Sequence, residues 1–216
     1  MRAQQLLAAA AASATTSSPP PPSASSDLIV SNVKAHFSVQ APIPVPDSIS
    51  DHVVYHGNFL TVRPPPSLVK HLTDRAKLVY VVFPSSGHVN VSGIKDFDTC
   101  YQAVQVFEHL FSVKATSNIC VDNSTASGRF PVIDNLRLSR LFDKVEEFAF
   151  PCTISIRPHY FPSVLLRPAQ RSLPEPNLIS TSIVFTNGKF IIVGSKTRAQ
   201  VARTYHNLNH IIRSII

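Results

Sequence analysis

Lys77-Leu-Val-Tyr-Val-Val-Phe83-Pro-Ser-Ser-Gly87-His-Val-Asn-Val-Ser-Gly93-Ile-Lys95 meets a second version of itself about a hundred residues on, as Ser180-Thr-Ser-Ile-Val-Phe185-Thr-Asn-Gly188-Lys-Phe-Ile-Ile-Val-Gly194-Ser-Lys196. In each, an apolar run ends on phenylalanine, a small-residue turn follows, and a second run closes on Gly-x-Lys. The turn glycine supplies the positive φ that a hairpin needs. Upstream, Phe59 stands 24 residues before Phe83, and Phe161 stands 24 before Phe185. So long a period means two domain-sized copies rather than a solenoid of short repeats.

Working outward, each hairpin is followed by a helical pattern. Cys100, Val104, Phe107, Leu110 and Phe111 recur at helical spacing over 96–111, with Asp96 and Asp98 suited to the first turn. Val201, Tyr205, Leu208, Ile211, Ile212 and Ile215 form the stripe of a final helix. Before the hairpins, 28–33, 59–63, 153–156 and 163–167 read as strands, and 136–145 as a helix. Each copy is thus a curved antiparallel sheet with a long helix on one face and the other face free. The fold class is α+β, with the first copy over 27–113 and the second over 114–216. Residues 1–26 are nearly all Ala, Ser, Thr, Pro and Gln and read as a flexible tail, only faintly like a secretory signal.

Charge separates the two copies. Residues 28–113 hold six Lys/Arg against six Asp/Glu, whereas 114–216 hold thirteen against six, so the whole net charge of +7 sits in the second copy. That asymmetry points to a polyanionic partner. No apolar run approaches the roughly 18–20 residues of a membrane helix. Three well-separated cysteines, Cys100, Cys120 and Cys152, do not make a disulfide framework. No nucleophile elbow, phosphate-binding loop or dinucleotide fingerprint occurs, so no enzymatic activity and no cofactor are expected. His52/His56 and His206/His210 lack cysteines or carboxylates at ligand spacing, which leaves no metal site.

The order of these motifs resembles the TATA-box-binding protein family, a pseudo-symmetric saddle of two such repeats. The similarity is tightest from Phe185 through Gly194-Ser-Lys196-Thr-Arg198-Ala199 to Leu208, and at Phe161-Pro-Ser-Val-Leu-Leu-Arg167. It implies a protein that binds the minor groove of A·T-rich promoter DNA, bends it, and recruits general transcription factors IIA- and IIB-like and the RNA polymerase machinery to initiate transcription in the nucleus. It also implies wedging by two phenylalanine pairs, Phe161 with Phe185 and Phe59 with Phe83, because apolar side chains pushed between base steps kink the duplex. Asn32 and Asn118 open the two copies in similar tripeptides, and their amides would read A·T against G·C. Arg63, Arg167, Lys95, Lys196 and Arg198 match positions near phosphates. Val81, Ile183, Ile191 and Val193 fall on the free face.

The first copy departs from the family. It places Asn90 and Ser92 where the second has Ile191 and Val193, and Pro84 adds a residue to its hairpin turn. The two phenylalanine pairs are therefore not expected to sit identically. Both Pro-rich loops, 64–76 and 168–177, exceed the family's turns. Two other readings stay open: a TBP-fold protein-interaction platform without DNA binding, and a module for RNA–DNA hybrids.

Overall fold

The structure is a computed structural model, and it describes residues 28–69, 77–130, 140–141, 143, 152–156, 163–168 and 180–214. The 1–26 tail, most of the 136–145 span and most of the Pro-rich loop 168–177 lie outside the described residues, as does Phe161.

Among the described residues, ten antiparallel strands form a single sheet. They are β1 (Ile29–Ser38), β2 (Val53–His56), β3 (Phe59–Val62), β4 (Val79–Phe83), β5 (His88–Ile94), β6 (Cys120–Arg129), β7 (Cys152–Ile156), β8 (Ser163–Pro168), β9 (Thr181–Phe185) and β10 (Lys189–Ser195). Their order is β2-β3-β4-β5-β1-β6-β10-β9-β8-β7, which reads alike from either edge. The axis of that symmetry runs between β1 and β6 through the pair Val33–Ser124. Around it, Asn32↔Thr125 is answered by Lys34↔Asn123, Val30↔Ala126 by Ala35↔Val121, and Ile29↔Ser127 by His36↔Cys120.

Alternation decides which face is covered. Val33, Ala35 and Phe37 on β1, Leu60 and Val62 on β3, Tyr80 and Val82 on β4, and Val89 and Val91 on β5 are all buried. They meet the apolar stripe of helix α1 (Cys100–Phe111), whose Ala103, Val104, Phe107, Leu110 and Phe111 are buried with them. Phe107 sits at the centre, 5.3 Å from the ring of Phe37, 5.3 Å from Tyr80 and 4.4 Å from Phe111. The Tyr80 hydroxyl donates to the Ala103 carbonyl at 2.6 Å, and burial pushes its phenol far above the ordinary tyrosine range. Helix α2 (Arg198–Arg213) covers the other half through Val201, Leu208, Ile211 and Ile212, and Thr197 caps it by accepting from the Gln200 N–H at 3.2 Å.

The halves differ inside. Where Leu78, Val33 and Ile94 pack in the first half, the matching places hold Ser180, Ser124 and Ser195. The three serines satisfy one another: Ser124 Oγ donates to the Ser195 carbonyl at 2.8 Å, and the Ser180 and Ser195 hydroxyls lie 2.6 Å apart. The places of Tyr80 and Ala103 are taken by Ser182 and Thr204, whose buried hydroxyls have no partner among the described residues.

Strand β6 is a finding that the sequence pattern does not give. Cys-Val-Asp-Asn-Ser-Thr-Ala-Ser-Gly-Arg lacks the apolar alternation of a half-buried strand, yet it pairs with both β1 and β10 at the middle of the sheet. Strand β1 likewise runs to Ser38, beyond the 28–33 read from apolar density.

Burial of the Cys100 thiol, aided by the Asp96 and Asp98 carboxylates, pushes its pKa up to about 11, whereas Cys120 is exposed. Because the thiolate is the reactive form, iodoacetamide at neutral pH should label Cys120 in the native protein and Cys100 only after denaturation. Peptide mapping by mass spectrometry reads both sites. Equal native labelling of the two would contradict this packing.

Candidate nucleic-acid interface

With one face under the helices, the side chains between the buried ones line the other. At its centre stand two matched clamps. Gly93 and Gly194 have φ of +87° and +99° and form bulges, each an extra residue in β5 or β10 opposite its neighbour strand. A glycine bulge withdraws its N–H from the ladder, and that donor then needs another acceptor. Asn32 Oδ1 takes the Gly93 N–H at 2.8 Å, and Asn123 Oδ1 takes the Gly194 N–H at 2.8 Å. Of the two ends of a side-chain amide only the oxygen can accept from an N–H, so each amide is oriented and its Nδ2 is left as a donor. Lys34 and Thr125 lie across the strand pair from Asn123 and Asn32, completing a central polar quartet.

This geometry corrects the pairing of Asn32 with Asn118. Asn118 precedes β6 in the connecting segment, exposed, where its carbonyl meets the Cys120 thiol at 3.8 Å. The partner of Asn32 is Asn123, in Asp122-Asn-Ser124. The tripeptide Ser117-Asn-Ile119 is the better likeness of Ser31-Asn-Val33 because both end on an apolar residue, but the strand register does not follow that likeness.

Register also separates the phenylalanines. Leu60 pairs with Val82 and Val164 with Val184, so Phe59 faces Phe83 while Ser163 pairs with Phe185. Ser163, not Phe161, holds the register place of Phe59; the equal 24-residue spacing does not reflect equal position. Pro84 leaves Phe83 in place. It stays opposite His88 at the end of the ladder, and the extra residue is absorbed in the turn. Phe83 belongs to a line of five rings running across β2, β3, β4, β5 and β1. His56 stacks on Phe59 at 4.9 Å, Phe59 lies 5.7 Å from Phe83, Phe83 6.1 Å from His88, and His88 5.4 Å from His36. The line ends at Asp122, whose carboxylate lies 2.7 Å from His36 Nδ1.

Either side of the centre, the face has different chemistry. One row of the second half runs Leu165, Ile183, Ile191, Ser127 and then Ile29, which is 63% exposed. The matching row of the first half runs Thr61, Val81, Asn90, His36 and Cys120. One row further in, Val193 on the second half answers Ser92 on the first.

Among the expected phosphate cations, Arg63, Arg167 and Lys196 are exposed and hold no ion pair among the described residues. The other two are engaged within the protein. Lys95 Nζ donates to the Ser31 carbonyl at 2.7 Å. Arg198 bonds both Asp96 and Asp98, at 2.5 Å and 2.8 Å, which raises its pKa and ties the start of α2 to the first half. Lys34 and Lys189 are exposed cations on face strands that sequence reasoning misses, because nothing in their neighbourhoods marks them before the register is known.

No family model and no curated protein sequence matches this chain. Solved structures do. The TBP of Methanococcus jannaschii superposes at TM-score 0.60 with 18% identity, over 87% of this chain and 99% of that one. Aspartate kinase of Clostridium acetobutylicum, at TM-score 0.26 and 8% identity over 86% of this chain and 34% of that one, is too distant in geometry to bear on the fold. The same holds for the regulatory subunit of aspartate kinase from Thermus flavus, at TM-score 0.23 and 11% identity over 87% and 94%. Ten strands ordered symmetrically about a central pair, with a long helix behind each half, give this chain the fold of the TATA-box-binding protein.

Proposed function

We propose that this chain is a non-catalytic, TBP-like protein that binds duplex DNA in the minor groove through the free sheet face and bends it. The observation that carries the reading is the twin Asn–Gly clamp. Two oriented carboxamide donors sit symmetrically at the centre of a face that no described helix covers, and the floor of an A·T groove offers only acceptors, adenine N3 and thymine O2. Bound to promoter DNA in the nucleus, the protein recruits IIA- and IIB-like general transcription factors. The test is a gel shift of the full chain on an A·T-rich duplex, with end-labelled FRET reporting the bend. Absence of salt-dependent binding to B-form duplex would end this reading, and preference for an RNA–DNA hybrid would replace it.

Two further outcomes follow. Replacing Phe161 and Phe185 together with alanine should reduce bending more than replacing Phe59 and Phe83. The second half is the basic one, and the face beside Phe185 is apolar. Equal FRET changes in the two double variants would contradict it. The triple variant Arg63→Ala/Arg167→Ala/Lys196→Ala should flatten the log–log salt dependence by about 0.9 for each phosphate no longer neutralised. Arg198→Ala should leave that slope unchanged, since its guanidinium is held by Asp96 and Asp98. A slope that Arg198→Ala flattens as much as the others would place it on phosphate instead.

One observation favours a protein-interaction platform as the second reading: the Asp122 carboxylate lies beside the free face, where it repels phosphate.

A further inference from the structure

We infer that the two halves of the free face select different base pairs, the second half A·T and the first half admitting G·C. The inference rests on the minor-groove reading above and deepens it.

In the minor groove, G·C differs from A·T by one feature, the guanine N2 amino group, which donates and protrudes from the floor. A surface excludes guanine when it buries that donor against carbon, and it admits guanine when it offers an acceptor. The second half presents carbon: Leu165, Ile183, Ile191 and Val193 in adjoining register places, with Ile29 beyond. In the corresponding places the first half presents acceptors. Asn90 stands where Ile191 stands, and Ser92 where Val193 stands. Neither side chain is engaged elsewhere among the described residues, so Asn90 Oδ1 and Ser92 Oγ are available to a donor.

A third acceptor comes from His36, paired in register with Asn90. Its Nδ1 lies 2.7 Å from the Asp122 carboxylate, which can only accept, so in the neutral ring the proton is on Nδ1. Nε2 is then the lone-pair nitrogen. Asp122 therefore acts as a positioning residue: it sets the tautomer, so that the neutral His36 ring presents Nε2 as an acceptor. Among the described residues nothing equivalent stands across the axis, where Ser127 takes the place of His36. The polarity of the first half is thus an ordered set of three acceptors on one side of the two clamps.

The experiment measures affinities of the full chain for four duplexes of one length: all A·T, all G·C, half A·T with half G·C, and the last with inosine in place of guanine. Inosine·C keeps the pairing and deletes only the amino group. The mixed duplex should bind within about threefold of all A·T, and all G·C about 100-fold more weakly, at roughly tenfold per guanine buried against carbon. Asn90→Ile/Ser92→Val gives the first half the second half's residues. It should lower the ratio of mixed to all-A·T affinity at least about tenfold, with inosine restoring it. The reciprocal Ile191→Asn/Val193→Ser should raise the relative affinity for all G·C by a similar factor. A mixed duplex bound as weakly as all G·C overturns the inference while the minor-groove reading stands. So does a ratio that neither variant moves. Failure to bind even all A·T overturns both together.

Discussion

Phe107→Ala should remove about 3–5 kcal/mol of stability, the usual cost of emptying a buried phenylalanine site. Globular domains are stable by about 5–15 kcal/mol in total, so the variant should be close to unfolding at ambient temperature. Phe107 is fully buried between Phe37, Tyr80 and Phe111, all of which are themselves buried. None can relax into the space. Tyr80 is held by its hydroxyl to the Ala103 carbonyl, Phe37 lies in the central strand β1, and Phe111 ends the helix. The cavity therefore persists, and its walls forfeit their dispersion attraction outright. Urea titration followed by circular dichroism reads the effect. Tyr101→Ala, at a residue of the same helix that is 65% exposed, should change stability by no more than about 0.5 kcal/mol. A small loss for Phe107→Ala would mean that α1 is not seated on the sheet as described.

Asn32→Ala/Asn123→Ala should weaken A·T-rich duplex binding by about 2–4 kcal/mol, or roughly 30- to 1000-fold. Two effects add. Each substitution removes an amide donor that the proposed reading turns to groove acceptors, and each leaves a glycine bulge N–H without its acceptor. The second effect loosens the bulge that sets the spacing between the clamps. Asn118→Ala is the decisive control, because the sequence alone makes it the equal of Asn32. The register assigns it no part in the face, so its affinity should match that of the unaltered chain in the same gel shift. Loss of binding in Asn118→Ala, with Asn123→Ala silent, would show that the strand register around β6 is wrong.

How much of this is written in the sequence depends on which force writes it. The two hairpins and both long helices are legible because burial imposes a period, and Val82, Val89, Phe107 and Leu208 obey it. Strand β6 is hidden because its neighbours cover it by backbone pairing and by serine hydroxyls, which leave no apolar rhythm. Asn123 is hidden with it. The phenylalanine spacing misleads for another reason. Ser163 to Phe185 spans 22 residues and Phe59 to Phe83 spans 24, so loop length, invisible to any period, moves equal residues out of equal places. Charge is legible but its use is not. Arg198 and Arg167 look alike along the chain, and only the fold brings Asp96 and Asp98 to one of them.

The seam between β1 and β6 has a consequence for how the chain is made. Seven register pairs join the halves there, and α1 with all of β1 to β5 is synthesised before β6 begins. If the first half folds before β6 leaves the ribosome, β1 is then bonded to β5 on one side and bare on the other, a ten-residue edge open to any passing strand. Lys34 puts a solvent-exposed charge at the middle of that edge, a known deterrent to strand addition. The lysine at the centre of the finished face is thus also the sentinel of the unfinished one.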